Sequence, residues 1–138
     1  MKKKISVVIK EKIKKFNKKI KIPGDKSCSI RALLFASQCI GESKIFNLLE
    51  SQDVLDCAKA LQTLGTKIVR RKKYYSVYGN GLNSFKIKKK LTRLYVGNSL
   101  TTARLLSGLL STIPSKFYLY GDASANRRDF TRVIEPLE

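Results

Sequence analysis

The chain has no histidine and no tryptophan, a single methionine and three prolines, and its ten acidic residues face twenty-nine lysines and arginines. Without histidine there is no side chain that ordinarily titrates near neutrality and no imidazole for a metal. Cys28, Cys39 and Cys57 are odd in number and lack C-x-x-C spacing, which argues against a zinc site. Cys28 and Cys39 fall in one expected helix at a separation of about 16 Å along its axis, beyond disulfide reach. All three cysteines read as small buried hydrophobes in a reducing cytosol. No apolar run approaches the roughly 18–20 residues of a membrane span, and the N-terminus has no signal-peptide core. The expectation is a cytoplasmic protein with no zinc site and no membrane span.

What is present is positive charge and apolar pattern. The hydrophobic fraction of 43% supports one domain with a core, and the formal charge is +19. Met1 to Lys21 holds ten lysines against Glu11 alone. That opening segment is β-branched and Lys-rich, so it reads as one or two strands with solvated charges. A balance this basic predicts anionic company: nucleic acid, an acidic membrane surface or phosphorylated small molecules.

After the Pro23-Gly24-Asp25 turn, Ser27–Cys39 reads as a helix with Ile30, Leu33 and Leu34 inward and Gly41 as its stop. A short strand, Lys44–Asn47, precedes a second helix capped by Ser51, with Asp53 in its first turn, a Val54, Ala58, Leu61, Leu64 stripe, and Gly65 beyond its end. Lys67–Arg70, Tyr74–Tyr78 and Phe85–Lys88 are strand-like, and Gly79-Asn80-Gly81 marks a turn. A shift of 73 residues superposes Gly24, Arg31 and Leu33 on Gly97, Arg104 and Leu106, and Ser51, Leu61 and Leu64 on Ser124, Ile134 and Leu137. A unit therefore recurs, its second copy stopping inside its second helix.

Both copies place polar groups where a helix begins, and free N–H groups with the positive dipole end make such a place an anion site. In the first copy Lys26, Ser27 and Arg31 are spaced to converge on one point. Arg31, one turn beyond Ser27, leans back toward the N-terminus. In the second, Asn98, Ser99, Thr101 and Arg104 repeat the arrangement, and the Gly121–Asp129 loop adds Arg127 and Arg128. These residues favour a pocket for phosphate or carboxylate groups; they do not name a reaction.

The motifs PGDKS with SxRALL, VGNSxTTxRLLSGLL, GDxSxxxR and RVIEPL, in that order from about Lys19 to Glu138, resemble the 5-enolpyruvylshikimate-3-phosphate synthase family of 3-phosphoshikimate 1-carboxyvinyltransferases. The resemblance implies a cofactor-free transferase of aromatic amino-acid synthesis that joins shikimate 3-phosphate to phosphoenolpyruvate and releases phosphate. It implies an α/β (α+β) fold of repeated βαβαββ units, the enolpyruvyl transferase inside-out α/β barrel, here an incomplete domain. Residues 22–92 would be the first unit and 93–138 a truncated second one. Residues 1–21 would pack with a C-terminal domain that this chain lacks.

By the same resemblance Lys26, Ser27 and Arg31 contact shikimate 3-phosphate, while Lys26, Asn98, Leu100 and Arg128 line the phosphoenolpyruvate site and Arg104 supports the loop. Leu100 stands where the family has Gly, Asn126 where it has a basic residue, Asp129 where Pro follows the Arg, and Ile30 where His or Asn is usual. No proton-transferring pair is recognised in this portion, and Asp25 and Asp122 sit in turn positions suited to capping. The reading is an N-terminal fragment of the synthase, roughly its first third, inactive alone. Two alternatives stand beside it: a basic nucleic-acid-binding protein on a relic scaffold, and one chain of a split enzyme whose second chain carries the missing two thirds. No RRM, KH or helix-turn-helix pattern appears, so no specific nucleic acid is expected as a partner.

Overall fold

A computed structural model describes residues 6–12, 15, 17–87 and 90–137. Helix α1, Lys26–Gln38, turns Ser29, Ile30, Leu33, Leu34, Ala36 and Ser37 inward. It is capped by Asp25, whose carboxylate accepts the Cys28 N–H at 2.7 Å. Strand β1, Ile40–Phe46, follows almost at once, and α2, Gln52–Thr63, buries Val54, Asp56, Cys57, Ala58, Ala60 and Leu61. Ser51 occupies the N-cap of α2 as expected, but through its backbone: its side chain makes no capping bond. Gly65 takes the left-handed turn beyond the helix, with φ +93°.

Strand β2, Lys67–Arg70, and strand β3, Tyr74–Asn80, are antiparallel, and β3 also pairs antiparallel with β1, so the sheet order is β1-β3-β2. The second copy gives β4, Leu91–Tyr95, helix α3, Leu100–Leu110, and β5, Lys116–Tyr120, with β5 parallel to β4. Ile30, Leu33, Val54, Cys57, Leu61, Leu64, Val77, Leu94 and Leu106 form one core between the helices and the inner faces of both sheets. Among the described residues no helix is long and apolar enough to cross a membrane.

Several expectations need correction. Gly79 and Asn80 continue strand β3 instead of forming a turn. A Cβ on Gly79 would collide with the carbonyl oxygens of Cys39, Ala36 and Ser37, so glycine serves there for close approach of the sheet to the last turn of α1. Gly41 lies within β1, and α1 ends earlier, where Cys39 becomes extended. Phe85–Ile87 is not a strand, although the Lys86 N–H donates to the Leu64 carbonyl at 2.9 Å; Lys88 lies outside the described residues. The described residues of the opening segment, 6–12, 15 and 17–21, carry no strand, and Val7, Val8, Ile9 and Ile20 stay exposed. β-branched sequence makes a strand only beside a partner ladder. Cys28 and Cys39 are exposed, one on the outer side of α1 and the other past its end. Cys57 alone is buried, and burial pushes its thiol up to about 12.

The second copy also diverges beyond β5. Where a helix matching α2 is expected, the chain makes a 3-10 turn at Ala125–Arg127, a single helical turn α4 at Thr131–Ile134 and another 3-10 turn at Glu135–Leu137. Arg128 is extended between them, and Ser124 makes no cap hydrogen bond.

Two glycine substitutions test these contacts. Gly79→Ala should cost about 1–3 kcal/mol, because backbone oxygens on α1 must retreat. Gly108→Ala, in α3 with nothing within 4 Å of the added carbon, should stabilise by roughly 0.5–1 kcal/mol. Urea unfolding midpoints check both, and a neutral Gly79→Ala would remove the close-approach argument.

Candidate functional site

The site is built where α1, α2 and α3 begin. Lys26, first residue of α1, directs its ammonium to the Asp53 carboxylate in the first turn of α2, at 2.9 Å. Ser27 is half-buried and Arg31 is exposed on the same helix. The turn before them is held from below: the Leu49 N–H donates to Ser29 Oγ at 3.0 Å, and a Cβ on Gly24 would strike the Asn47 carbonyl. Asp25 is held below its ordinary value chiefly by the Cys28 N–H, with a smaller contribution from the charge of Arg31.

At α3 the cap is Ser99, whose hydroxyl accepts the Thr102 N–H at 3.2 Å and the Thr102 hydroxyl at 2.9 Å. In the 73-residue alignment Ser99 matches Lys26, not Asp25, so the two helix starts differ in register by one residue. Ser99 is therefore buried in its capping role. Leu100 falls where Ser27 stands in the first copy. Thr101 is half-buried beside it.

Asn98 links the third loop to this start. Its side-chain N–H donates to Asp122 at 2.7 Å, and its carbonyl oxygen accepts from the Arg128 guanidinium at 3.1 Å. Asp122 uses its other oxygen to accept the Ala125 N–H at 2.8 Å. That backbone bond first, and the Asn98 bond and the Arg128 charge after it, lower the Asp122 pKa. The capping role expected for Asp25 and Asp122 is thus their observed one. Arg128 and Leu100 line one cavity of about 440 Å³ together with Ala103, Phe117, Leu119 and Phe130. Arg127 is exposed on the far side of its turn.

Helix α2 joins the two clusters. Asp53 reaches Lys26, and one turn on, the buried Asp56 lies against Gly97, the residue before Asn98. A Cβ on Gly97 would come within 2.5 Å of Asp56 Oδ2, and its φ of +60° also favours glycine. Gln52 donates to Asp56 at 2.8 Å. The first turns of α1 carry Lys26, Ser27 and Arg31 as the spacing expects, but they do not point to one place: Lys26 turns to Asp53 and Arg31 to the groove against α3, while Asn98 stands at the α3 start. The spacing missed Asp53 and Asp56, whose only advertisement is an acidic pair three residues apart at the beginning of a helix. Arg31 and Arg104 lie apart from the Asn98 cluster, side by side along a groove between α1 and α3 that Leu34, Phe35, Leu82, Leu105 and Leu109 line.

Set against known proteins, residues 10–138 match the family model of EPSP synthase (3-phosphoshikimate 1-carboxyvinyltransferase). The 3-phosphoshikimate 1-carboxyvinyltransferase of Vesicomyosocius okutanii is 45% identical over 118 residues, which are 86% of this chain and 27% of the relative. The enzyme of the same name from Lactococcus lactis is 38% identical over 120 residues, 87% of this chain and 27% of the relative. A solved EPSP synthase from Acinetobacter baumannii superposes with a TM-score of 0.75 at 35% identity, over 85% of this chain and 26% of that one. The chain thus spans about a quarter of the length of the relatives it matches, somewhat less than the third expected from its motifs.

The lowered pKa of Asp122 has a consequence in acid. Its contribution to stability is fully present above about pH 4, the unfolded carboxylate value. That contribution is lost as pH falls through the lower folded value. Asp122→Asn should therefore flatten the fall of melting temperature below about pH 4, read by circular dichroism. An acid dependence identical to that of the unaltered chain would show that the Asp122 bonds add nothing.

Proposed function

Because the chain belongs to the EPSP synthase family, we propose that it is the amino-terminal part of a 3-phosphoshikimate 1-carboxyvinyltransferase and forms one wall of the site for shikimate 3-phosphate and phosphoenolpyruvate. The observation that carries this reading is α2: through Asp53 to Lys26 and through Asp56 to Gly97 it sets both polar helix starts beside one another. Two substrates, each bearing phosphate, need two neighbouring groups of donors.

In this reading Ser27 and Arg31 hold shikimate 3-phosphate, and Lys26 meets both substrates after leaving Asp53. Arg128, steadied by Asn98, meets phosphoenolpyruvate. Leu100 narrows the same cavity from the α3 side. Arg104 supports the second helix start from the groove that it shares with Arg31. The fold then carries a first unit at 22–92 and part of a second at 93–138, and residues 1–21 await a second domain. The working compartment is the cytoplasm.

What the described residues offer is binding, not proton transfer. Asp25 and Asp122 are engaged in capping, with their pKa values lowered, so near neutrality they are ionised and cannot donate a proton. Protonation of a methylene carbon and water exclusion by domain closure therefore fall to the rest of the family's length. The chain spans only 27% of its relatives, and the remainder of that length is what would complete the enzyme.

Titration with shikimate 3-phosphate should shift amide resonances of residues 24–31 most, and Arg31→Ala should weaken that binding by about 1.5–3 kcal/mol, the scale of a charged hydrogen bond. The chain alone, given both substrates, should release phosphate at the rate without protein. Release should appear when the remaining portion of a relative is added as a separate polypeptide. Turnover by this chain alone that requires shikimate 3-phosphate and vanishes with Lys26→Ala would overturn the division of labour.

A further inference from the structure

The site leaves unused a feature on the opposite side of the second sheet. In β4 and β5, Thr92, Leu94, Phe117 and Leu119 turn toward the core, while Leu91, Arg93, Tyr95, Lys116, Tyr118 and Tyr120 face outward. The parallel register sets Arg93 beside Tyr118 and Tyr95 beside Tyr120. The rings of Tyr95 and Tyr120 are 5.3 Å apart, those of Tyr118 and Tyr120 are stacked at 5.9 Å, and the Arg93 guanidinium lies 5.7 Å above Tyr118. Despite these mutual contacts Tyr118 is 54% exposed, Tyr95 42% and Tyr120 37%.

Cross-strand aromatic pairs do stabilise a sheet. Sheet pairing alone does not require Arg93 and Lys116 among three partly exposed rings. Flat π-faces alternating with cations suit a partner that alternates flat bases with phosphates. Arg93 and Lys116 on the face, Lys90 just before β4 and the absence of any acidic residue from β4 and β5 select the anionic partner over an apolar one. A duplex hides its base faces within the stack, so the match is to a single strand. Stacking needs no base-edge hydrogen bonds, which explains why such a surface can exist without the motifs of sequence-reading RNA modules.

We propose that the outward face of the β4–β5 sheet binds single-stranded nucleic acid without base-sequence preference, stacking bases on Tyr118, Tyr120 and Tyr95 while Arg93 and Lys116 meet phosphates. Tyr120 also borders the cavity of Leu100 and Arg128, but none of Arg93, Tyr95, Lys116 and Tyr118 is among the residues assigned above to shikimate 3-phosphate and phosphoenolpyruvate, so either assignment can fail without the other.

The absence of tryptophan makes tyrosine emission the natural readout. A thymidine dodecamer should quench that emission saturably, and its affinity by fluorescence anisotropy should exceed that of a duplex of the same length. Replacing Tyr118 and Tyr120 together by Leu, which preserves charge and apolar bulk, should lower the single-strand affinity about tenfold or more without changing its salt slope. The matching pair of Tyr→Phe changes should keep it. Inorganic polyphosphate should bind without quenching. An unchanged affinity in the Leu pair, or a duplex or polyphosphate binding as tightly as the dodecamer, would reduce the effect to net charge and overturn the proposal. If the Leu pair does not fold, the unaltered chain still decides, since binding of the dodecamer without tyrosine quenching excludes stacking.

Discussion

The contact on which the rest of the site depends is that of Gly97 against the buried carboxylate of Asp56. Gly97 sits where three pieces of backbone meet: the end of β4, the start of α3 and the loop after β5, whose Asp122 N–H donates to the Gly97 carbonyl at 3.0 Å. A Cβ on Gly121 would collide with that same carbonyl, so this loop too is set by close backbone approach. Asp56 closes the junction from α2, held by Gln52 at 2.8 Å and more loosely by Lys59 at 3.5 Å. Any larger residue at Gly97 would push the Asp56 carboxylate from its place against this junction and would have to hold a left-handed φ that glycine adopts freely. One glycine thereby ties the two copies of the repeated unit into one surface.

How legible this was in the chain depends on the range of the interaction involved. Helices α1, α2 and α3 and strand β2 follow from local pattern: apolar residues at helical spacing, an acidic first turn, a glycine after Leu64. Gly79 was misread because a glycine needed for a turn and one needed for contact with another element look alike in sequence. Its reason lies in Cys39, Ala36 and Ser37, some forty positions earlier, and only the fold brings them to it. The opening segment failed in the converse way. Its β-branched residues have strand propensity, yet Val7, Val8 and Ile9 find no ladder among the described residues and remain exposed. Propensity without a neighbour is only half of a strand. Beyond β5, the 73-residue similarity kept Ile134 and Leu137 in step with Leu61 and Leu64 while the backbone broke into short turns around Arg128.

The candidate site divides in the same manner. Candidates related by spacing along one helix, Lys26, Ser27 and Arg31, are legible because helical geometry is periodic. Pairings across the fold are not legible in that way: Asp53 is 27 positions from Lys26, and Arg128, named beside Asn98 only through the family resemblance, is 30 from it. The copies also differ in how they begin a helix. Asp25 caps α1 from outside, leaving Lys26 and Ser27 as the first helical residues, whereas Ser99 caps α3 and is consumed in doing so. The second start therefore offers a ligand its loop, Asn98 and what Asn98 holds, more than its cap.

That difference has an energetic consequence for anion binding. Lys26 is paired with a carboxylate, and its side chain is 48% exposed, so the pair is worth about 0–1 kcal/mol and a phosphate can displace Asp53 at small cost. The displaced Asp53 would remain close by as a like charge, which limits how tightly Lys26 alone can hold an anion. Arg128 is held instead by a neutral amide oxygen and by the Ser124 hydroxyl at 3.4 Å. Among the described residues no carboxylate pairs with it directly, and its orientation is set before any ligand arrives. The Asp122 carboxylate stands one residue removed behind Asn98, near enough to orient the amide, and the Asn98 side chain separates it from the guanidinium. The two helix starts are thus unequal: the α1 cluster exchanges one anion for another, and the α3 cluster presents a fixed cation. An anion arriving at α1 would have to draw Lys26 from Asp53, whereas Arg128 is already held in place by Asn98 and Ser124.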